Sequence, residues 1–281
     1  MIPAAFDYQR PASVDDALRA ISAASGAKIL AGGQSLLPLL KLRLAHADTL
    51  IDIGRLAELR GLRPQPDGGY EVGALTTYAD IIEGTSLSWV AEAVELIGDV
   101  QVRYRGTVGG ALAHCDPTSD LPAIGLALDY SAVLRSTRGE RVVPLDDFFE
   151  GPFQTRAAAD ELLVAIRRGP LPAGATGAYR KLAQPASGYS IVGVAAVVAS
   201  SAGSISHARV ALTGVCDAPY RAKAVEAALV GSDGGAGAVA AAAEHAVDGK
   251  TVNGDIHADS EYRARMAVVY TRRAIEGALG R

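Results

Sequence analysis

The chain has 281 residues, of which 49% are hydrophobic and 21% charged, an ordinary globular composition with enough material for one large domain or two modest ones. A net charge of −4, with no strongly basic stretch, leaves no electrostatic footprint for a nucleic-acid partner. The first residues lack the basic and apolar blocks of a signal peptide, and the most apolar stretch, 191–199, is too short to span a bilayer, so a cytoplasmic protein without a transmembrane segment is expected. Two cysteines, Cys115 and Cys216, form no Cys-x-x-Cys pair and suggest no disulfide framework. They are too few for an iron–sulfur cluster, which needs about four thiolates.

The first element predicted is a helix begun by Ser13 as cap, with Asp16 three residues on, where a carboxylate reaches back. Val14, Leu18 and Ile21 follow helical spacing, and Gly26 is the expected stop. A strand at 28–31 runs into Gly32-Gly33, followed by a leucine-rich helical segment at 36–44 and a strand at 49–53. Asp67-Gly68-Gly69 signals a hairpin turn before a strand at 70–73. Thr77 caps a short helix reaching Glu83, and 89–97 reads as another. A second glycine turn, Thr107-Val108-Gly109-Gly110, precedes Asp116-Pro117 and an apolar helix at 121–128. The segments 132–135 and 141–143 form a hairpin closing at Gly139, and a strand follows at 161–167.

The stretch 169–177, rich in Gly, Pro and Ala, is the predicted linker between a domain at 1–176, itself split near residue 55, and a second at 177–281. Beyond it the pattern predicts strands at 191–198 and 208–215 and helices at 220–230, 239–247 and 261–279. In the last helix Met266, Tyr270, Ala274 and Ala278 share one face. Strands and helices without regular βαβ alternation argue for an α+β fold rather than a doubly wound sheet.

Chance alone yields roughly three Gly-Gly pairs in so glycine-rich a chain. The sequence has four, at 32–33, 68–69, 109–110 and 234–235, so context must decide. In Leu30-Ala31-Gly32-Gly33-Gln34-Ser35-Leu36, two residues without Cβ allow consecutive N–H groups to turn toward one point, a nest that stabilises an anion. A helix starting at Leu36 adds partial positive charge there. Thr107-Val108-Gly109-Gly110 can serve similarly, and two such loops face to face would hold a diphosphate. A plain structural turn remains the alternative for each. Neither loop has the Gly-x-Gly-x-x-Gly pattern or a P-loop Lys.

His114-Cys115-Asp116 invites a metal or nucleophile reading. Adjacent residues on an extended segment point to opposite faces, however, and the other histidines lack ligand spacing, so no metal site is expected. Asp116-Pro117 shapes a turn, and Asp120 is a candidate acceptor for sugar or polyol hydroxyls. Tyr179-Arg180-Lys181 reads either as a solvated strand end or as a lysine placed to stabilise negative charge on a reduced cofactor.

On these residues the chain resembles the FAD-binding medium subunit of the xanthine dehydrogenase and carbon monoxide dehydrogenase family of molybdenum hydroxylases. The resemblance runs from Phe6 to Leu279. Its most specific part is the pair Ala31-Gly32-Gly33-Gln34-Ser35 and Thr107-Val108-Gly109-Gly110, in matching order and separation. The runs 116–122, 181–189 and 211–214 extend it. The resemblance implies a vanillyl-alcohol-oxidase-type FAD-binding domain of two subdomains and a C-terminal α+β domain with a small antiparallel sheet.

It further implies that Leu30, Ala31, Gly32, Gly33, Gln34, Ser35 and Leu36 wrap the diphosphate and adenosine of FAD. Thr107, Gly109, Gly110 and Ala111 would complete the diphosphate side, and Ile97 and Gly98 would line the cofactor. Asp120 would bind flavin hydroxyls, Leu162 or Leu163 would touch the cofactor, and Lys181 and Tyr189 would lie near the isoalloxazine ring. Gln34 stands where some relatives carry His or Asn, and Ala111 where others carry Asn, so Ala111 offers only its backbone.

The implied job is electron transfer through FAD to an external acceptor. Two 2Fe-2S clusters would lie on a small subunit and the molybdenum cofactor on a large one, in a heterohexamer built as a dimer of heterotrimers. The missing thiolate set agrees with that division. A self-sufficient FAD oxidoreductase of the same superfold and a cofactor-free binding module are the alternatives.

Overall fold

The computed structural model describes residues 2–281. Its first unit contains β1 (Asp7–Gln9), α1 (Val14–Ala23), β2 (Ala27–Leu30), α2 (Leu36–Leu42) and β3 (Thr49–Asp52), with the strands in the order β1–β3–β2, all parallel. Parallel neighbours need crossovers, and the two helices supply them. The βαβ alternation that the whole chain lacks is therefore present locally here. Ser13 caps α1: its Oγ accepts from Asp16 N at 3.1 Å and its hydroxyl donates to the Asp16 carboxylate at 2.8 Å. Val14, Ala17, Leu18 and Ile21 form the buried face of α1 and pack with Ile51, Ile53 and Leu59. The helix ends at Ala23, before Gly26, which takes φ +67° in the turn toward β2.

The middle unit opens with β4 (Leu62–Pro64) and β5 (Tyr70–Gly73), followed by α3 (Tyr78–Gly84), α4 (Ser88–Glu95), α5 (Val100–Arg103), α6 (Val108–His114) and α7 (Asp120–Ala127). It continues through β6 (Ser131–Ser136), β7 (Gly139–Pro144), α8 (Leu145–Phe148), β8 (Phe149–Gly151), β9 (Gln154–Thr155) and β10 (Leu162–Arg168). Its main sheet is antiparallel, in the order β4–β5–β10–β6–β7. Thr77 caps α3 in a reciprocal box with Asp80. One expectation fails instructively: Thr107-Val108-Gly109-Gly110 is not a turn. Thr107 is a helix cap, and both glycines lie within α6.

The last unit holds β11 (Thr176–Ala183), β12 (Ser190–Ser201), β13 (Ser204–Thr213), β14 (Tyr220–Arg221), α9 (Lys223–Leu229), α10 (Ala236–Ala243) and α11 (Ser260–Ala278), with an antiparallel sheet in the order β11–β12–β13–β14. Two readings need correction. Tyr220 and Arg221 pair with Leu212 and Ala211 as a short strand, so the helix begins only at Lys223. Thr176–Ala183 is a full strand, although Gly177 and the basic pair Arg180-Lys181 obscure its alternation.

The apolar run in β12 is explained by burial on both faces. Ala195 and Val197 pack toward α7 and the middle unit, while Val192, Val194, Ala196 and Val198 pack toward α9–α11. All eight residues of α7 are buried, because the helix is sandwiched between the middle unit and this sheet. No helix among the described residues is long and apolar enough to cross a membrane.

Candidate functional site

The carboxyl ends of the three parallel strands open onto one polar cleft. Arg10 follows β1, Ala31 and Gly32 follow β2, and Gly54 and Arg55 follow β3; all line the cleft, which holds about 330 Å³ and is partly open to solvent. Its opposite wall comes from Thr77, Tyr104, Arg105 and Thr107 of the middle unit. The two segments singled out in the sequence therefore meet across one space. They also touch: a Cβ on Gly32 would lie 1.9 Å from Arg105 O and 3.2 Å from Gly106 Cα, so only glycine permits this backbone approach. Gly33 adopts φ +77°, which again favours glycine.

The hydrogen-bonding states of the two segments differ. Among the described residues, none of the backbone amides of Ala31, Gly32, Gly33, Gln34, Ser35 and Leu36 donates to a protein acceptor. These amides are available to a ligand. In the second segment Val108 N donates to Thr76 O at 3.0 Å, Gly109 N to Ala74 O at 2.8 Å, and Ala111 N to Thr107 O at 3.0 Å. Gly110 N donates to Thr107 Oγ1 at 3.1 Å. A Cβ on Gly109 would sit 2.5 Å from Ala74 Cβ, so this glycine lets α6 pack against the chain just after β5. The sequence suggested two equivalent amide nests. The structure has one stretch of unengaged amides and, facing its Ala31-Gly32 end, a capped helix that offers the Thr107 side chain.

The remaining candidates form a second cluster. Asp120, the first residue of α7, has a buried carboxylate whose Oδ1 accepts from the Tyr179 hydroxyl and, at 2.7 Å, from Ser190 Oγ. Lys181 Nζ lies 3.1 Å from Asp120 Oδ2 and also donates to Leu96 O at 3.0 Å and Gly188 O at 2.8 Å. The three ammonium donors are thus all matched by protein acceptors. Gly193 permits this arrangement, since a Cβ there would lie 2.2 Å from the Tyr179 hydroxyl oxygen. Burial, then the Asp120 charge, pushes the Tyr179 phenol far above its ordinary range and keeps it a donor.

Tyr189 is 48% exposed beside this cluster. Burial raises its phenol, and the carboxylates of Asp116 and Asp120 add to the shift. Tyr78 connects the two regions. Its ring packs against Gly106 behind the cleft, and its phenol is raised by burial first and then by nearby Tyr189 and Asp120.

Other sequence candidates have structural duties. Gly98 takes φ +57°, and the carbonyls of Ile97 and Gly98 accept from Arg103 Nη1 at 3.2 and 3.0 Å. Ile97 and Ala111 pack against the middle core, Leu163 lies within it, and Leu162 is buried against α1. His114 packs at a tilt against Phe153 with ring centroids 5.0 Å apart, the Cys115 thiol donates to Gly151 O at 3.4 Å, and Asp116 Oδ1 caps its own turn through Thr118 N at 2.8 Å. These three neighbours face three different partners. Sequence reasoning missed Arg10, Arg55, Arg60 and Arg105 in the cleft, and Tyr179 and Ser190 on Asp120. The parallel unit was the available signal for the cleft, because ligands bind beyond the carboxyl ends of parallel strands.

Comparison with known proteins agrees with this architecture along the chain. The family model described as the FAD binding domain in molybdopterin dehydrogenase matches residues 4–170, and the CO dehydrogenase flavoprotein C-terminal domain matches residues 177–278. The carbon monoxide dehydrogenase medium chain of Hydrogenophaga pseudoflava is 38% identical over 286 aligned residues, covering 100% of this chain and 99% of the relative. The glyceraldehyde dehydrogenase medium chain of Sulfolobus acidocaldarius is 37% identical, covering 82% of this chain and 83% of the relative. Among solved structures, carbon monoxide dehydrogenase from Hydrogenophaga pseudoflava, lacking the Mo-pyranopterin moiety, superposes with a TM-score of 0.95 at 41% identity, covering 100% of this chain and 99% of that one.

The fold and site define an oxidoreductase flavoprotein subunit. The chain belongs to the FAD-binding medium subunits of the carbon monoxide dehydrogenase and xanthine dehydrogenase family of molybdenum hydroxylases. The residues present fit a flavin dinucleotide: unengaged amides at 31–36, a close approach allowed by Gly32, and a polar cleft rich in arginine are suited to a diphosphate.

Proposed function

We propose that this chain carries FAD as the electron-transfer subunit of a cytoplasmic molybdenum hydroxylase, between 2Fe-2S clusters on a small subunit and an external acceptor. Substrate oxidation would occur at the molybdenum cofactor of a large subunit, with the trimer paired as a heterohexamer. When bound, FAD accepts and releases electrons singly or in pairs, which joins a one-electron path to a two-electron acceptor. The observation that carries this reading is the meeting of Ala31-Gly32 with Arg105 and Thr107 across one polar cleft at the parallel strand ends.

In this reading the backbone from Leu30 to Leu36 cradles the diphosphate, with Thr107 opposite it. Gly109, Gly110 and Ala111 hold that wall in position through their paired amides. Asp120 and Lys181 fix the floor near the flavin, and Tyr189 covers the ring from the exposed side. Ile97, Gly98, Leu162 and Leu163 shape the surrounding backbone.

The test is isolation of the native complex. It should contain stoichiometric FAD, with molybdenum and iron on other chains, and substrate should bleach the flavin bands only when those chains are present. An isolated chain that oxidises an organic substrate unaided would overturn the electron-transfer role.

A further inference from the structure

Four guanidinium groups line one cleft from three separate parts of the chain: Arg10 after β1, Arg55 and Arg60 beyond β3, and Arg105 before α6. Elsewhere arginines are commonly paired, as Arg141 is with Glu161 and Arg221 with Glu226. In the cleft Arg60 reaches only Gly54 O, at 3.1 Å. Arg10, Arg55 and Arg105 have no hydrogen-bond or ion-pair partner among the described residues. Asp52, the one carboxylate lining the cleft among the described residues, is engaged by the Tyr8 hydroxyl at 2.5 Å and Gly54 N at 2.8 Å. The cleft thus concentrates positive charge that the protein itself leaves unbalanced.

Like charges held together repel, and an anion relieves that repulsion. Guanidinium is the cation best matched to phosphate, because its planar fork makes two parallel hydrogen bonds. The adjacent amides of segment 31–36 are free, and Gly32 lies at the cleft wall. Unengaged amides of Ala31 and Gly32 and four guanidinium groups therefore line the same cleft.

We propose that Arg10, Arg55, Arg60 and Arg105 form a guanidinium rim that grips the diphosphate of the flavin dinucleotide and selects phosphate-bearing FAD over riboflavin. This rests on the flavoprotein reading above and assigns its anion-recognising side chains. The amides supply geometry; the arginines supply charge and hence discrimination against the uncharged riboflavin.

Equilibrium binding of FAD, FMN, riboflavin and ADP to the full-length chain freed of flavin tests the proposal, with flavin content of the native complex measured in parallel. ADP should compete with FAD, whereas riboflavin should not. Each of Arg10→Gln, Arg55→Gln and Arg105→Gln should weaken FAD binding by about 3- to 10-fold, as expected for solvent-screened charged hydrogen bonds. Their combination should weaken it more and make affinity less dependent on salt. Arg105→Lys, which keeps the charge, should recover part of the loss, and unchanged circular dichroism should show that the fold persists. A triple Gln variant that binds FAD within twofold of the parent, with the same salt dependence, would overturn the rim while leaving the flavoprotein reading intact. Loss of subunit association with unchanged FAD affinity would overturn it in favour of an acidic protein partner. A parent chain and native complex that both lack FAD would instead overturn the flavoprotein reading itself.

Discussion

Lys181 Nζ stands 3.1 Å from Asp120 Oδ2, and both side chains are only 5% exposed. The pair ties β11 of the last unit to the start of α7 in the middle unit, and the Tyr179 hydroxyl and Ser190 Oγ complete the carboxylate's shell. Removing one member of a buried ion pair leaves the other charge uncompensated, at a cost of about 3–5 kcal/mol. Lys181→Ala and Asp120→Ala should each lower the unfolding free energy by that order. A double-mutant cycle in denaturant should give a coupling well above about 1 kcal/mol, the upper end for exposed pairs. Coupling near zero would mean that the contact contributes nothing specific.

Gly32→Ala should disrupt the cleft. The new Cβ would fall 1.9 Å from Arg105 O, so the two backbones must separate. Overpacking of this kind costs about 1–3 kcal/mol. The expected readout is reduced flavin absorbance per chain together with a lower Tm. Gly237→Ala serves as the control, because space there is open and the residue lies inside α10, away from the cleft.

Amide hydrogen exchange should distinguish the two halves of the cradle. Without FAD, the amides of Val108, Gly109, Gly110 and Ala111 should already be protected, since each has a protein acceptor. Those from Ala31 to Leu36 should exchange rapidly and slow only when FAD is added. Equal slowing in both segments on binding would contradict the asymmetry.

Glu161 supplies a pH prediction. Its hydrogen bonds from Arg141 hold its carboxyl below the ordinary glutamate range, aided by the Ala158 amide and opposed by desolvation. A depressed folded pKa contributes stability above the unfolded pKa, and that contribution is lost as pH falls through the folded value. The parent should therefore exceed Glu161→Gln in stability at neutral pH. The gap should narrow as pH drops below the usual glutamate pKa, as measured by urea unfolding across that range.

Local signals in the chain were read well where hydrogen bonds close within a few residues. Ser13 over Asp16 and Thr77 over Asp80 are such closures, and both helices start at those caps. The Gly139 hairpin and the turn at Gly68 follow the same logic. Thr107-Val108-Gly109-Gly110 shows the limit. Its glycines suggest a turn, but Gly109 is required by the distant Ala74, against which α6 packs. Arg180-Lys181 suggested a solvated strand end because charge in a short segment looks exposed, yet Lys181 is buried by partners about 60 and 85 positions away.

By itself the amino-acid sequence determined the helix caps, the glycines that admit close backbone approach, and the motif pair at 31–35 and 107–110 that marks the family, because each is written in neighbouring residues. Only the tertiary structure decided which amides stay free, that Asp120 and Lys181 share one buried site, and that Arg10, Arg55, Arg60 and Arg105 line one cleft. These depend on strand ends and helices brought together across long chain separations. Such contacts arise from the packing of whole elements, and no short window of sequence contains them.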